Sequence, residues 1–223
     1  MKDFPVLVTG FQPYDGRGLN PAHEAVRALD GRAIEGVPVV ARGLPVSFAA
    51  LKSSIGDLVD ELHPCAVISL GLWPGEATIR LERIGINLAD FEIADNEGLL
   101  VTDREVTGNG QAARLSTLPL RAIERVLLET GIPARLSSTA GTFLCNACLY
   151  SFLEAVEARP RQALCGFIHV PYIPEQVTEL LKSMREEKRL ELHQRADIAS
   201  MELSRIVAGI EIAIRETVRA LAG

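Results

Sequence analysis

Short runs of continuous apolar residues alternate along this chain with longer stretches in which apolar positions recur every three or four residues. Residues 5–11 form the first run and predict a buried strand, followed by a turn-rich loop to Pro21 and a helix to about Leu29. Residues 37–46 read as a second strand. Over 47–62 the positions of Leu51, Ile55, Leu58 and Leu62 keep helical spacing. Residues 65–72 are again apolar throughout, 79–93 predict one or two strands, and 94–116 make a polar, glycine-containing excursion. A helix over 118–130 stops at Gly131-Ile132-Pro133, where glycine permits the terminating turn and proline bars continuation. A strand over 134–139, a helix over 143–158 and a strand over 163–170 follow. Roughly the last 45 residues read as helical, with a charged stretch over 182–195.

Strands that alternate with helices predict an α/β fold, a three-layer α/β/α sandwich around a mostly parallel, twisted sheet. The 223 residues suit one such core, and no repeat or low-complexity linker divides them, so a single domain over 1–223 is expected. An apolar content of 48% with 23% charged residues is that of a globular chain rather than a disordered one. The net charge is −6 and no basic run is present, which excludes nucleic acid as the expected partner. No apolar stretch approaches the ~20 residues that span a bilayer, so no membrane partner is expected. The start, Met1 to Pro5, leads straight into the first strand without the pattern of a signal peptide. Cys65, Cys145, Cys148 and Cys165 are therefore expected as reduced thiols in a cytoplasm.

Candidate chemistry centres on Gly141-Thr142-Phe143-Leu144-Cys145-Asn146-Ala147-Cys148. Cys145 falls where a small-residue turn opens an apolar helix, and unpaired backbone N–H groups there favour thiolate over thiol. Cys145 and Cys148 also make a Cys-x-x-Cys pair, which suits a dithiol. No further ligands at zinc spacing accompany them, and no metal is expected. Cys148, between Ala147 and Leu149, reads as a small buried hydrophobe. The loop after the first strand lacks the third glycine of a dinucleotide fingerprint, and no phosphate-binding loop or serine elbow is present, so no cofactor is expected.

A sulfur nucleophile needs a base and commonly a group that orients it. Of the four histidines, His23 lies in an early helix, His63 precedes a proline, and His193 sits in the charged C-terminal stretch. His169 ends the strand over 163–170, where functional groups of open α/β sheets gather. Strand alternation over 79–87 places Glu82 on one face with Ile84 and Ile86, and a carboxylate there requires a partner. Asp95, Glu76 and Asp15 are equally available as the acid on these grounds.

Taken together, these segments resemble the pyrrolidone-carboxylate peptidases, the pyroglutamyl peptidase I type of cysteine peptidase. The resemblance runs nearly the whole length. It includes Val8-Thr-Gly-Phe-Gln-Pro-Tyr14, Asn20-Pro21, Glu82-Arg-Ile-Gly-Ile-Asn87, Asp95-Asn-Glu-Gly98 and Ser116-Thr-Leu-Pro119. The two longest and most specific segments are Ala140-Gly-Thr-Phe-Leu-Cys-Asn146 and Gly166-Phe-Ile-His-Val-Pro-Tyr-Ile-Pro-Glu-Gln176. The resemblance implies a Cys–His–Glu triad falling on Cys145, His169 and Glu82, with removal of an N-terminal pyroglutamyl residue from small blocked peptides. It also implies a homotetramer and an aromatic-lined pocket for the lactam. Phe11, Tyr14 and Phe143 match that pocket, and Asn20 matches a loop position beside it. Three departures stand out. The family's glutamine at the lactam site is Leu72, in Gly71-Leu-Trp-Pro-Gly-Glu76. An arginine near its reaction centre is Glu92, in Glu92-Ile-Ala-Asp-Asn96. The histidine after Cys-Asn is Ala147. These departures admit a relative that takes another blocked or cyclic N-terminus, and the Cys-x-x-Cys pair admits a thiol–disulfide oxidoreductase.

Overall fold

The computed structural model of the chain describes residues 4–14, 18–160, 163–186 and 198–222. In chain order the elements are β1 (Val6–Phe11), α1 (Pro21–Leu29), β2 (Ala33–Ile34), β3 (Val37–Leu44), α2 (Phe48–Leu62), β4 (Ala66–Leu72), β5 (Ile79–Glu82) and β6 (Ile84–Ile86). They continue with β7 (Ala113–Leu115), α3 (Leu120–Glu129), β8 (Ala134–Ser137), α4 (Leu144–Glu157), β9 (Leu164–Val170), α5 (Pro174–Glu186) and α6 (Leu203–Ala222).

Among the described residues, seven strands join in the order β2-β3-β1-β4-β9-β5-β8. The central strands β3, β1, β4 and β9 are mutually parallel. β5 runs antiparallel to β9, and β8 follows β5 in parallel. β1 and β4 are buried at every position because helices cover both faces. Alternation sends Val6, Val8, Ile68, Leu70, Ile168 and Val170 to one face, under α1, α3 and α6. The opposite residues Leu7, Val67, Cys165 and Phe167 meet α2 and α4. These are the three layers of an α/β/α sandwich. No helix among the described residues is long and apolar enough to cross a membrane.

Local signals account for the helix starts. Asn20 accepts from the Ala22 N–H and Pro21 opens α1, while the Ser47 hydroxyl accepts from the Ala50 N–H at the head of α2. Three expectations need correction. The strand over 37–46 ends at Leu44, because Ser47 already caps the next helix. The stretch over 79–93 breaks at Arg83, and β6 leaves the main sheet to pair with β7, a strand inside the supposed polar excursion. Glu82 therefore shares its strand face with Arg80 rather than with Ile84 and Ile86. The C-terminal region is two helices: Ser200 bridges to Tyr172 between them, and the Met201 N–H donates to the Tyr172 carbonyl. The sheet is mostly parallel as expected, with β5 and β8 inverted on one side. Part of the charged stretch over 182–195, with His193, lies outside the described residues, as does Asp15.

Candidate active site

Sheet register gathers the site. β4 and β9 pair Gly71 with His169, and β9 and β5 pair His169 with Arg80 and Phe167 with Glu82. Residues opposite one another share a face, so Gly71, His169, Phe167, Arg80 and Glu82 all turn toward the α2 and α4 side. Cys145, in the first turn of α4, comes down onto this row. A Cβ on Gly71 would lie 2.7 Å from the Cys145 sulfur and 2.8 Å from Phe167, so only glycine leaves room for the thiol there.

The head of α4 is held from several directions. Phe143 is its N-cap with extended backbone, and no side chain caps the first turn. Gly141 takes a φ of +76°, the left-handed region that glycine tolerates. Thr142 donates through Oγ1 to the Asp90 carbonyl at 2.6 Å and its own carbonyl accepts from the Asp90 N–H. Asn146 is buried; its amide donates to the Ile86 and Leu88 carbonyls at 2.9 and 2.8 Å and accepts from the Ile86 N–H at 2.9 Å.

His169 and Glu82 are both fully buried and 2.8 Å apart, Nδ1 to Oε1. A carboxylate only accepts, so Nδ1 carries the proton and Nε2 is left as the basic nitrogen. The imidazole ring lies between Trp73, edge-on at 4.9 Å, and Phe167 at 4.8 Å. Burial holds the His169 imidazole below its usual range, and Arg80 adds to this, against the opposite pull of Glu82 and Glu76. Burial likewise pushes the Cys145 thiol well up, reinforced by Cys148 and Glu82, although the residue keeps part of its surface open. The expectation of a thiolate at the helix start is thereby corrected. One backbone N–H does not offset the desolvation of a sulfur packed over Gly71. Burial thus favours a neutral thiol beside a neutral imidazole.

Of the acids proposed, only Glu82 touches His169 among the described residues. Asp95 accepts from the Phe48, Glu97 and Leu99 N–H groups and so shapes a loop. Glu76 binds Arg135 at 2.6 Å and Thr78 at 3.0 Å. Phe143 packs edge-on against Phe91 at 4.6 Å, and Phe91 against Phe48 at 5.4 Å; Phe11 and Tyr14 belong to the same apolar cluster. Asn20 is a buried cap of α1 whose amide also donates to the Gln12 carbonyl. Leu72 follows Leu70 and Ile68 onto the sheet face away from Cys145. Glu92 is exposed. Sequence reasoning missed Arg80, although opposite charges at Arg80 and Glu82, two apart and flanked by Ile79 and Leu81, mark a paired strand face.

Residues 4–220 match the family model described as pyroglutamyl peptidase. The chain belongs to the pyroglutamyl peptidase family. Similar members include the pyrrolidone-carboxylate peptidase of Cupriavidus necator, 40% identical over 205 residues that cover 86% of this chain and 95% of that one. The namesake from Pseudomonas fluorescens strain SBW25 is 46% identical over 174 residues, 78% and 81% of the two chains. Among solved structures, the pyrrolidone carboxyl peptidase of the hyperthermophile Pyrococcus furiosus superposes with a TM-score of 0.89 at 34% identity, covering 98% of this chain and all of that one. The family's α/β fold is the one found here.

Proposed function

We propose that this member of the pyroglutamyl peptidase family is a cysteine exopeptidase that removes an N-terminal pyroglutamyl residue from peptides, with Cys145, His169 and Glu82 as its triad. One observation carries the reading: the Cys145 sulfur lies over Gly71, whose sheet neighbour His169 is bonded to a buried carboxylate. His169 Nε2 takes the thiol proton as the sulfur attacks the carbonyl joining pyroglutamate to the next residue. The uncapped first-turn N–H groups of α4 face the developing oxyanion. His169 then hands its proton to the leaving amine, and water hydrolyses the thioester to free pyroglutamate and thiol. Glu82 keeps the Nδ1 proton in place and steadies the imidazolium while it exists. Because the resting groups are neutral, proton transfer accompanies attack rather than preceding it.

The aromatic cluster of Phe11, Tyr14, Phe91 and Phe143 is the wall against which the flat lactam packs. We assign no direct contact to Asn20, Leu72 or Glu92. The four cysteines are free thiols, which supports a reducing, cytoplasmic setting. Exposed Leu100 and Leu115 supply apolar surface for the homotetramer, which sedimentation velocity tests. Hydrolysis of a pyroglutamyl-arylamide by wild type, abolished in Cys145→Ala, is the expected result. A folded wild type that ignores this substrate but cleaves another capped amino acid would overturn the reading.

A further inference from the structure

The charge buried beside His169 extends beyond a histidine and its acid. Glu82 Oε1 accepts from His169 Nδ1 at 2.8 Å and from Arg80 Nε at 3.1 Å, while Oε2 is buried with no hydrogen-bond partner among the described residues. Arg80 is itself buried and held on every side. Its Nη2 donates to the Ser137 hydroxyl at 2.6 Å and the Thr139 carbonyl at 2.9 Å, Nη1 lies 3.6 Å from Glu76 Oε2, and the Trp73 ring covers its carbon at 3.7 Å. A guanidinium present only to neutralise a buried carboxylate favours a fork onto both oxygens. Here it takes the same oxygen as the imidazole. Nε and Nη2 are committed to Glu82, Ser137 and Thr139 and Nη1 lies nearest Glu76, so the guanidinium is built into the wall of the site.

We infer that Arg80 is a positioning residue for the reaction: it fixes Glu82 with one oxygen aimed at His169 and limits how tightly the His169–Glu82 pair holds a proton, which keeps the imidazole ready as a base. Its catalytic consequence rests on the proposed function above; its effect on the pair does not. The titratable groups facing His169 are Glu82 and Arg80 from β5, Glu76 from the turn before it, and Cys145 with Cys148 behind it from α4. Arg135 of β8 stands against Glu76 from outside. Burial disfavours the imidazolium most, the two carboxylates favour it, and Arg80 opposes it. Removing the guanidinium leaves both carboxylates facing the ring, and the imidazole then binds its proton more tightly.

The test is an NMR titration of the His169 ring in wild type and Arg80→Met, beside the pH dependence of kcat/KM. Both the ring midpoint and the acidic limb are expected to rise by about one pH unit or more, a tenfold tighter proton. Arg80→Lys keeps the charge without the fork. It should return the midpoint most of the way while kcat stays low, since one ammonium cannot hold Glu82, Ser137 and Thr139 together. Should Arg80→Met fail to fold, Ser137→Ala removes one of the two acceptors that hold Nη2, loosens the guanidinium from the pair and should raise the midpoint in the same direction by less. An unchanged midpoint in the folded Met variant, or in Ser137→Ala where the Met variant does not fold, overturns the inference. So does a lysine variant whose midpoint stays with that of the methionine one. The titration needs no substrate, so a wild type inactive on pyroglutamyl-arylamide would defeat the functional reading without touching this result.

Discussion

Gly71 shows how one missing side chain can decide a site. Its hydrogen is what lets α4 set the Cys145 sulfur against the sheet beside His169. Gly71→Ala places a methyl 2.7 Å from that sulfur and against Phe167, so the sulfur must move. A displacement of this kind costs on the order of 10²-fold in rate, and overpacking costs about 1–3 kcal/mol. Pyroglutamyl-arylamide kinetics beside chemical denaturation would register both, with the rate suffering more. At the same scale, His169 is held below its usual 6.5 mainly by burial, and the thiol is pushed up by burial. Activity should therefore fall on acidification through a midpoint below 6.5, as the base becomes protonated. No alkaline loss from the thiol should appear up to about pH 9, above the ordinary cysteine range. Iodoacetamide should alkylate Cys145 slowly and ever faster with rising pH, without the plateau of a preformed thiolate. His169 and Cys145 were legible as types at telling places. Gly71 was not, because a glycine inside an apolar run carries no mark of what it faces.

At the scale of elements, the useful geometry lies at the head of α4 and in the break after β5. α4 has no side-chain cap, and Asn146 instead ties its first turn by two hydrogen bonds to Ile86 of β6 and one to Leu88 just beyond it. Asn146→Ala should cost about 2–4 kcal/mol, three bonds at about 1 kcal/mol each with half-buried backbone groups of residues 86 and 88 left unpaired. Urea denaturation measures this, and turnover should fall with it as the cysteine loses its footing. Cys148, one turn further into the helix and buried, packs near Ser69 rather than the open side. Cys148→Ala should leave hydrolysis close to wild type at a stability cost of about 1–2 kcal/mol; a collapse of turnover would instead favour dithiol chemistry. Periodicity located most of these elements to within a few residues. It failed at Arg83, where apolar residues continue while the chain changes sheets, since alternation describes faces and is blind to partners.

Across the whole molecule, the buried neutral imidazole links function to stability. The unfolded chain takes up a proton near pH 6.5, whereas the folded one resists it. The contribution of His169 is then complete above that pH and is lost as pH falls below it, by at most about 1.4 kcal/mol per unit. Urea midpoints at pH 7.5, 6.0 and 5.0 should decline in that order, and a His169→Gln variant should flatten the decline. The sandwich itself makes this unavoidable, because the sheet row carrying His169 is roofed by α4 and walled by Trp73 and Phe167. By itself the sequence determined the alternation of strands and helices, the α/β class, a cysteine at a helix start and a histidine at a strand end, all of which follow from local spacing. Which acid meets that histidine local spacing left open among four, the family resemblance pointing to Glu82; the bond between them, and the arginine behind it, only the tertiary structure decided. Those contacts depend on β5 pairing antiparallel to β9 in one register, and strand pairing is set by distant residues that local periodicity does not encode.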